Sequence, residues 1–277
     1  MNQSGNPALT LVGAGPGDPD LITVKGLKKL ADADVVLYDA LINVELLKYA
    51  PADSLKIFVG KRSGTHCFTQ DEINRMIVFY ARERGHVVRL KGGDPYVFGR
   101  GFEEYSFAVK HQIPVEVVPG ISSATGLSAA MDVPVTMRGI SESFWVVTGT
   151  TRDGVFSKDL KIAAHSTATV IILMGMKKLS RIVQTYRSVN KENYPVMIIQ
   201  NGTLSDEKCV TGTISTIESL VREQNLSSPA VIIVGEVIER TCGYIRKNKS
   251  LLYDAVFTGY KRGARAKGNF SKVSTRI

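Results

Sequence analysis

The sequence predicts an α/β fold made of two α/β domains with a ligand cleft between them. Three observations predict it. Apolar, β-branched runs alternate with helix-period runs through the first half, the pattern of a largely parallel sheet. Two of those runs end in glycine-rich loops closed by the same triplet, Gly17-Asp18-Pro19 and Gly93-Asp94-Pro95. The chain has 277 residues, more than the roughly 100–150 of a usual single domain.

In chain order, the first-half strands are expected at Leu9–Val12, Val35–Tyr38, Lys56–Val59, Val87–Leu90 and Val115–Val118. Helices are expected between them near Leu21–Leu30, Val44–Tyr49, Thr69–Arg84 and Glu103–Lys110. Thr69 and Glu72 have capping-box spacing, and Ile73, Met76, Ile77 and Tyr80 share one face of the helix they open. A segment rich in Ser, Ala, Gly and Pro, residues 120–138, reads as the connection. The second half predicts strands at Phe144–Val147, Thr169–Met174, Val196–Ile199, Val210–Ile214 and Val231–Val234. Threonine and glycine alternate through Val210–Ile214, which favours an antiparallel strand there. The expected divisions are residues 1–122, 123–245 and a basic tail, 246–277.

That tail holds nine basic residues and one acid, a net +8 of the chain's +9, so the folded body is nearly neutral. Charge so placed is expected to be a solvated, flexible extension, and a nucleic-acid partner is not expected. No apolar run approaches the ~20 residues of a membrane helix. The opening Met1-Asn2-Gln3-Ser4-Gly5-Asn6 has neither the basic nor the apolar region of a secretory leader. Cys67, Cys209 and Cys242 are scattered and odd in number, and the four histidines lack ligand spacing. A cytoplasmic protein without a metal is the expectation.

Gly13-Ala14-Gly15-Pro16-Gly17-Asp18 comes close to a dinucleotide fingerprint, with Asp39 ending the next strand where a ribose-binding acid would stand. The match fails at two positions. Asp18 replaces the third glycine, and Pro16 removes an N–H that would face a pyrophosphate. Asp18-Pro19 reads better as an N-cap followed by proline at the first helical position. Gly92-Gly93-Asp94-Pro95, followed by Gly99-Arg100-Gly101, concentrates glycine as a backbone-lined pocket would. At Gly60-Lys61-Arg62-Ser63-Gly64-Thr65-His66, two cations and a histidine follow a strand; surface solvation and ligand binding are both open there.

Taken together, these segments resemble the tetrapyrrole methylase family. The runs that carry the likeness are Val12–Pro19, Ala33–Asp39, Gly60-Lys61-Arg62 with His66, Gln70–Asn74, and Val88–Pro95. They continue in order through Val118-Pro119-Gly120-Ile121, Met174-Gly175, Asn201-Gly202-Thr203 and Pro229-Ala230, covering roughly residues 8–240. The resemblance implies a homodimer of two-domain subunits with S-adenosylmethionine in the interdomain cleft. It further implies transfer of two methyl groups to uroporphyrinogen III, giving precorrin-2. By motif, cofactor contacts would fall on Pro16, Gly92, Gly93, Asp94, Val97, Ser122, Ser123, Met174 and Gly202. The proton acceptor would be Asp39 and the proton donor Lys61, while Arg62, Arg100 and Arg138 would meet the carboxylates of the substrate. The chain departs from the family pattern at Met137, Gly139 and Thr150, where His, Asp and His are common. Those departures leave room for a sister methylase acting on a later corrin precursor. A dehydrogenase using the Gly13–Asp18 loop is the competing class.

Overall fold

A computed structural model of the protein describes residues 6–60, 68–151 and 153–241. The first half builds a sheet from β1 (Ala8–Gly13), β2 (Val35–Tyr38), β3 (Leu55–Phe58), β4 (His86–Lys91) and β5 (Val115–Val118). Its order is β3-β2-β4-β1-β5, with every neighbouring pair parallel. Successive strand residues serve opposite faces. Leu9, Leu11, Val35 and Leu37 pack under α2 (Gln70–Arg84) and α3 (Gly101–Lys110), whereas Val12, Val36, Val88 and Leu90 pack with Leu30 of α1 (Val24–Ala31). Both faces are buried, which is why these strands read as nearly continuous apolar runs.

The second sheet is mixed. It comprises β6 (Phe144–Thr148), β7 (Thr169–Leu173), β8 (Pro195–Gln200), β9 (Lys208–Thr213) and β10 (Ala230–Val234), in the order β6-β7-β10-β8-β9. Only β6 and β7 run parallel; β9 is antiparallel to β8, as its alternating composition predicts. One face packs on α5 (Asp159–His165), α6 (Leu179–Arg187) and α7 (Ile217–Glu223). The other packs on α4 (Ser123–Ala130), whose Ala124 and Leu127 join Ile171, Met197, Ile199 and Ile233.

The expected strands lie within two residues of the observed ones at either end. Three expectations change. Residues 120–138 do not form a plain connection, because α4 lies within them. Val44–Tyr49 is a 3-10 helix rather than an α-helix. The helix near Leu21–Leu30 divides into a 3-10 turn, Pro19–Leu21, and α1, because Thr23 caps a new start by accepting from the Gly26 N–H. Asp18 is the N-cap of that turn and Pro19 its first residue, the arrangement its sequence predicts.

The capping box that opens α2 is fully formed. The Thr69 hydroxyl accepts from the Glu72 N–H at 3.2 Å, and the Glu72 carboxylate accepts from the Thr69 N–H at 2.7 Å. Thr69→Ala is expected to cost about 1 kcal/mol in urea unfolding, with no change in the urea dependence.

Candidate active site

The strand order β2-β4-β1-β5 sets four strand-end loops side by side at the carboxyl edge of the parallel sheet. Asp39 follows β2, Gly92-Gly93-Asp94 follows β4, Gly13–Asp18 follows β1, and Gly120–Ser123 follows β5. This edge is where open α/β sheets place ligands. The order differs from the 3-2-1-4-5 arrangement of dinucleotide-binding folds because β4 intervenes between β2 and β1.

Three glycines let these loops touch through their main chains. A β-carbon at Gly13 would lie 2.5 Å from Gly120 Cα and 2.7 Å from the Gly93 carbonyl oxygen. One at Gly120 would collide with that same oxygen and lie 2.6 Å from Gly13 Cα. The Gly93 N–H donates to the Gly15 carbonyl at 2.7 Å, and the Gly15 N–H returns to the Gly93 carbonyl at 3.3 Å. Gly93 itself, at φ +68°, has only the Ser122 and Ser123 main chain near a β-carbon, at 3.9 and 3.8 Å. Asp94 clamps the corner: its Oδ1 accepts from the Tyr96 N–H at 2.8 Å and its Oδ2 from the Gly120 N–H at 3.0 Å. Oδ1 thus shapes its own loop and Oδ2 ties that loop to the one after β5, a task its sequence reading as a cofactor contact did not foresee.

The second domain reaches the same edge through the loop after β8. The Asp18 N–H donates to the Thr203 hydroxyl at 2.9 Å. A β-carbon at Gly17 would lie 2.7 Å from both the Gly202 carbonyl oxygen and Thr203 Oγ1. Pro16 lies over Gly126 of α4, where a β-carbon would come 3.3 Å from its ring. Met174, just after β7, is exposed and sits with Gly149 and Thr150, whose hydroxyl donates to the Met174 carbonyl at 3.2 Å.

Positive φ angles divide by cause. Gln112, Asp132, Asn190 and Asn225 follow α3, α4, α6 and α7 and are ordinary left-handed helix ends. Phe98, Arg100, Met174, Asn201 and Thr203 instead lie in the loops after β4, β7 and β8. For a β-branched residue such as Thr203, φ +65° costs about 1–3 kcal/mol, and strain of that kind collects at ligand sites.

Beneath Asp39 lies a cluster of charges. Arg89, Lys91 and Glu104 are only 3%, 4% and 0% exposed. Glu104 Oε1 accepts from Arg89 Nε at 3.2 Å, Lys91 Nζ at 2.9 Å and Gln70 Nε2 at 3.1 Å. Arg89 Nη1 donates to the Leu37 and Leu90 carbonyls at 3.3 and 3.0 Å, and its Nη2 reaches Asp39 Oδ2 at 3.4 Å. Asp39 Oδ1 accepts from the Leu41 N–H at 3.2 Å. Burial, reinforced by Arg89, pushes the Lys91 ammonium below its ordinary pKa despite Glu104. Burial also pushes the Glu104 carboxyl up, but Arg89, Lys91 and its hydrogen bonds outweigh that and hold it below its ordinary value. Sequence reading missed this cluster. The available signal was Arg89 and Lys91, two cations on one face of an otherwise apolar parallel strand.

Of the other expected site residues, Gly92 lies against Leu41, and exposed Val97 follows the Asp94 turn. Arg100 is engaged by Glu103 through a two-point pair at 2.8 and 2.7 Å. Arg138 is exposed in a turn where Met137 pairs with Ser141, and Gly139 there has φ +76°. The structure does not bring Arg138 to the glycine corner through any contact described. Lys61, Arg62, His66, Cys67, Cys242 and the basic tail lie outside the described residues. Gly60, just before Lys61, abuts the Ala40 N–H beside Asp39. Among the described residues, no group of three or more His, Cys, Asp or Glu side chains is arranged to hold a metal ion. No helix among them is long and apolar enough to cross a membrane.

Fold and loop geometry define a class: a two-domain α/β protein whose strand-end loops gather at one edge where its sheets meet. The chain belongs to the tetrapyrrole (corrin/porphyrin) methylases, whose family model matches residues 8–218. It is 47% identical over 230 residues to the uroporphyrinogen-III C-methyltransferase of Methanocaldococcus jannaschii, covering 82% of this chain and 95% of that one. The uroporphyrin-III C-methyl transferase of Thermus thermophilus, solved with S-adenyl homocysteine, superposes with a TM-score of 0.71 at 37% identity, over 84% of this chain and 99% of that one. A cobalt precorrin-4 methyltransferase superposes with a TM-score of 0.75 at 28% identity, over 84% and 96% of the two chains.

Proposed function

We infer that this protein is an S-adenosylmethionine-dependent methyltransferase that places two methyl groups on pyrrole rings of uroporphyrinogen III, giving precorrin-2 for sirohaem or cobalamin synthesis. The observation that carries the reading is the 47% identity to a uroporphyrinogen-III C-methyltransferase across nearly its whole length. The glycine corner fits the methyl donor. Gly13, Gly93 and Gly120 bring main chain together without side chains, and a β-carbon at Gly93 would meet only the main chain of Ser122 and Ser123, at van der Waals distance.

S-adenosylmethionine, when bound, supplies an electrophilic methyl on a sulfonium. The chain's own work is to hold donor and acceptor in line and to manage one proton for each methyl gained. We assign the donor to Pro16, Gly92, Gly93, Asp94, Val97, Ser122, Ser123, Met174 and Gly202. Adjacency of the loops that carry Pro16, Gly93, Ser122 and Gly202 supports this. Met174 offers an exposed, polarizable surface to an apolar part of the ligand. Asp39, held by Leu41 and Arg89 at the same sheet edge, is assigned as the acceptor of the proton that the macrocycle loses on methylation. Lys61 is assigned as the proton donor, and Arg62, Arg100 and Arg138 as partners of substrate carboxylates; Arg100 must then exchange Glu103 for the substrate.

Division after Ser122 is supported by α4, which packs into the core of the second sheet. A cytoplasmic homodimer is proposed on the family resemblance. A later corrin precursor is the second reading, favoured by the likeness to cobalt precorrin-4 methyltransferase and the departures at Met137, Gly139 and Thr150. Anaerobic incubation with uroporphyrinogen III and S-adenosylmethionine, followed by mass spectrometry, separates the two. A gain of two methyl groups supports the first; binding of S-adenosylmethionine without mass gain overturns it in favour of the second.

A further inference from the structure

We propose that Glu104 is a positioning residue for the proton acceptor, acting through Arg89. This rests on the assignment of Asp39 as that acceptor. An arginine beside a carboxylate ordinarily closes on it as a two-point pair at about 2.7–2.9 Å, occupying both carboxylate oxygens. Arg89 does not. Its Nε is turned to Glu104 at 3.2 Å, and its Nη1 is held by the Leu37 and Leu90 carbonyls. Only Nη2 is left to reach Asp39, at 3.4 Å. Glu104 thereby limits Arg89 to one long contact that orients Asp39 without sequestering it.

The charges agree with this purpose. Arg89 and Lys91 are balanced by Glu104 and Asp39, and Asp39 is the most exposed of these four side chains, at 24%. Lys91 adds a second cation on Glu104 Oε1, at 2.9 Å. Burying three charges in this way is costly, and apolar residues of similar volume commonly stabilise a core as well or better. Stability alone therefore does not call for the cluster. Among its four charged side chains, Asp39 is the one with a substantial part of its surface open.

The test uses the full chain, with kcat, KM for S-adenosylmethionine and urea stability measured on two variants. Glu104→Gln removes the charge and keeps the shape. The double variant Lys91→Met with Glu104→Leu removes one charge of each sign, leaving Arg89 free to close on Asp39. Both are expected to lose at least about tenfold in kcat with KM for S-adenosylmethionine within twofold, and the double variant is expected to unfold near the wild-type urea concentration. A folded double variant with wild-type kcat would overturn the proposal. A double variant that does not fold would overturn it too, by assigning the cluster to stability. Asp39→Asn, assayed alongside, separates the two readings. If it retains turnover, the acceptor assignment fails; if it loses turnover while the double variant does not, only the role of Glu104 fails.

Discussion

Asp39→Asn is expected to lower turnover of uroporphyrinogen III by about 10²–10⁴-fold while leaving affinity for S-adenosylhomocysteine within twofold. Asparagine keeps an oxygen to accept from the Leu41 N–H and gives up only the long, 3.4 Å contact from Arg89, so the loop after β2 keeps its shape. What it loses is the ability to take a proton. The ring carbon that gains a methyl carries no hydrogen, so the macrocycle must give up a proton elsewhere, and Asp39 is a carboxylate at this sheet edge with part of its surface open. Affinity should survive because the glycine corner is made by the loops after β1, β4 and β5, whereas Asp39 follows β2. Single-turnover assays and calorimetric titration read the two quantities separately. Turnover within threefold of wild type would remove Asp39 from the chemistry; a parallel loss of cofactor affinity would make its role structural.

The fold was legible where one strand's composition decides its fate. Val35–Tyr38 is apolar and aromatic and Val115–Val118 is valine but for Glu116, compositions that suit a strand best. Asp18-Pro19 and Thr69–Glu72 were legible because caps are local hydrogen-bond patterns. Helix α4 was not, because Ser, Gly and Ala give it little amphipathic signal. Gly126 in its middle reads as a breaker until the structure shows that a β-carbon would lie 2.7 Å from Ile121 Cγ2, under Pro16. Site residues were visible singly, as glycines and a strand-end aspartate, but their partners were not. Gly13, Gly93 and Gly120 meet because β1 lies between β4 and β5, an order no local pattern encodes. Arg89 and Glu104 meet because α3 packs on the sheet face from which Arg89 projects, so the anion that explains the buried cations stands on a different element. Local rules located the elements; the pairings depend on non-sequential neighbours.

Gly120→Ala is expected to be the most damaging single methyl addition at this site, and Gly139→Ala serves as its measure. At Gly139, φ is +76° and no atom lies within 4 Å of a β-carbon, so the substitution meets only backbone strain, about 1 kcal/mol. At Gly120 no flexible side-chain tip can move aside. The new methyl would meet the Gly93 carbonyl oxygen and Gly13 Cα, both main-chain atoms of strand-end loops. Relief requires separating the β1, β4 and β5 loops, which stretches the Gly120 N–H to Asp94 bond and the paired Gly15–Gly93 bonds. Overpacking of this kind costs about 1–3 kcal/mol, and a collision with two main chains places Gly120→Ala at the upper end of that range or above it. Because those loops also form the proposed donor site, affinity for S-adenosylhomocysteine should fall at least about tenfold in whatever protein remains folded. Urea unfolding of both variants, with titration of S-adenosylhomocysteine, tests the claim. Equal losses at Gly120 and Gly139 would mean that the loops yield freely. A stability loss at Gly120 with unchanged affinity would place the donor away from the glycine corner.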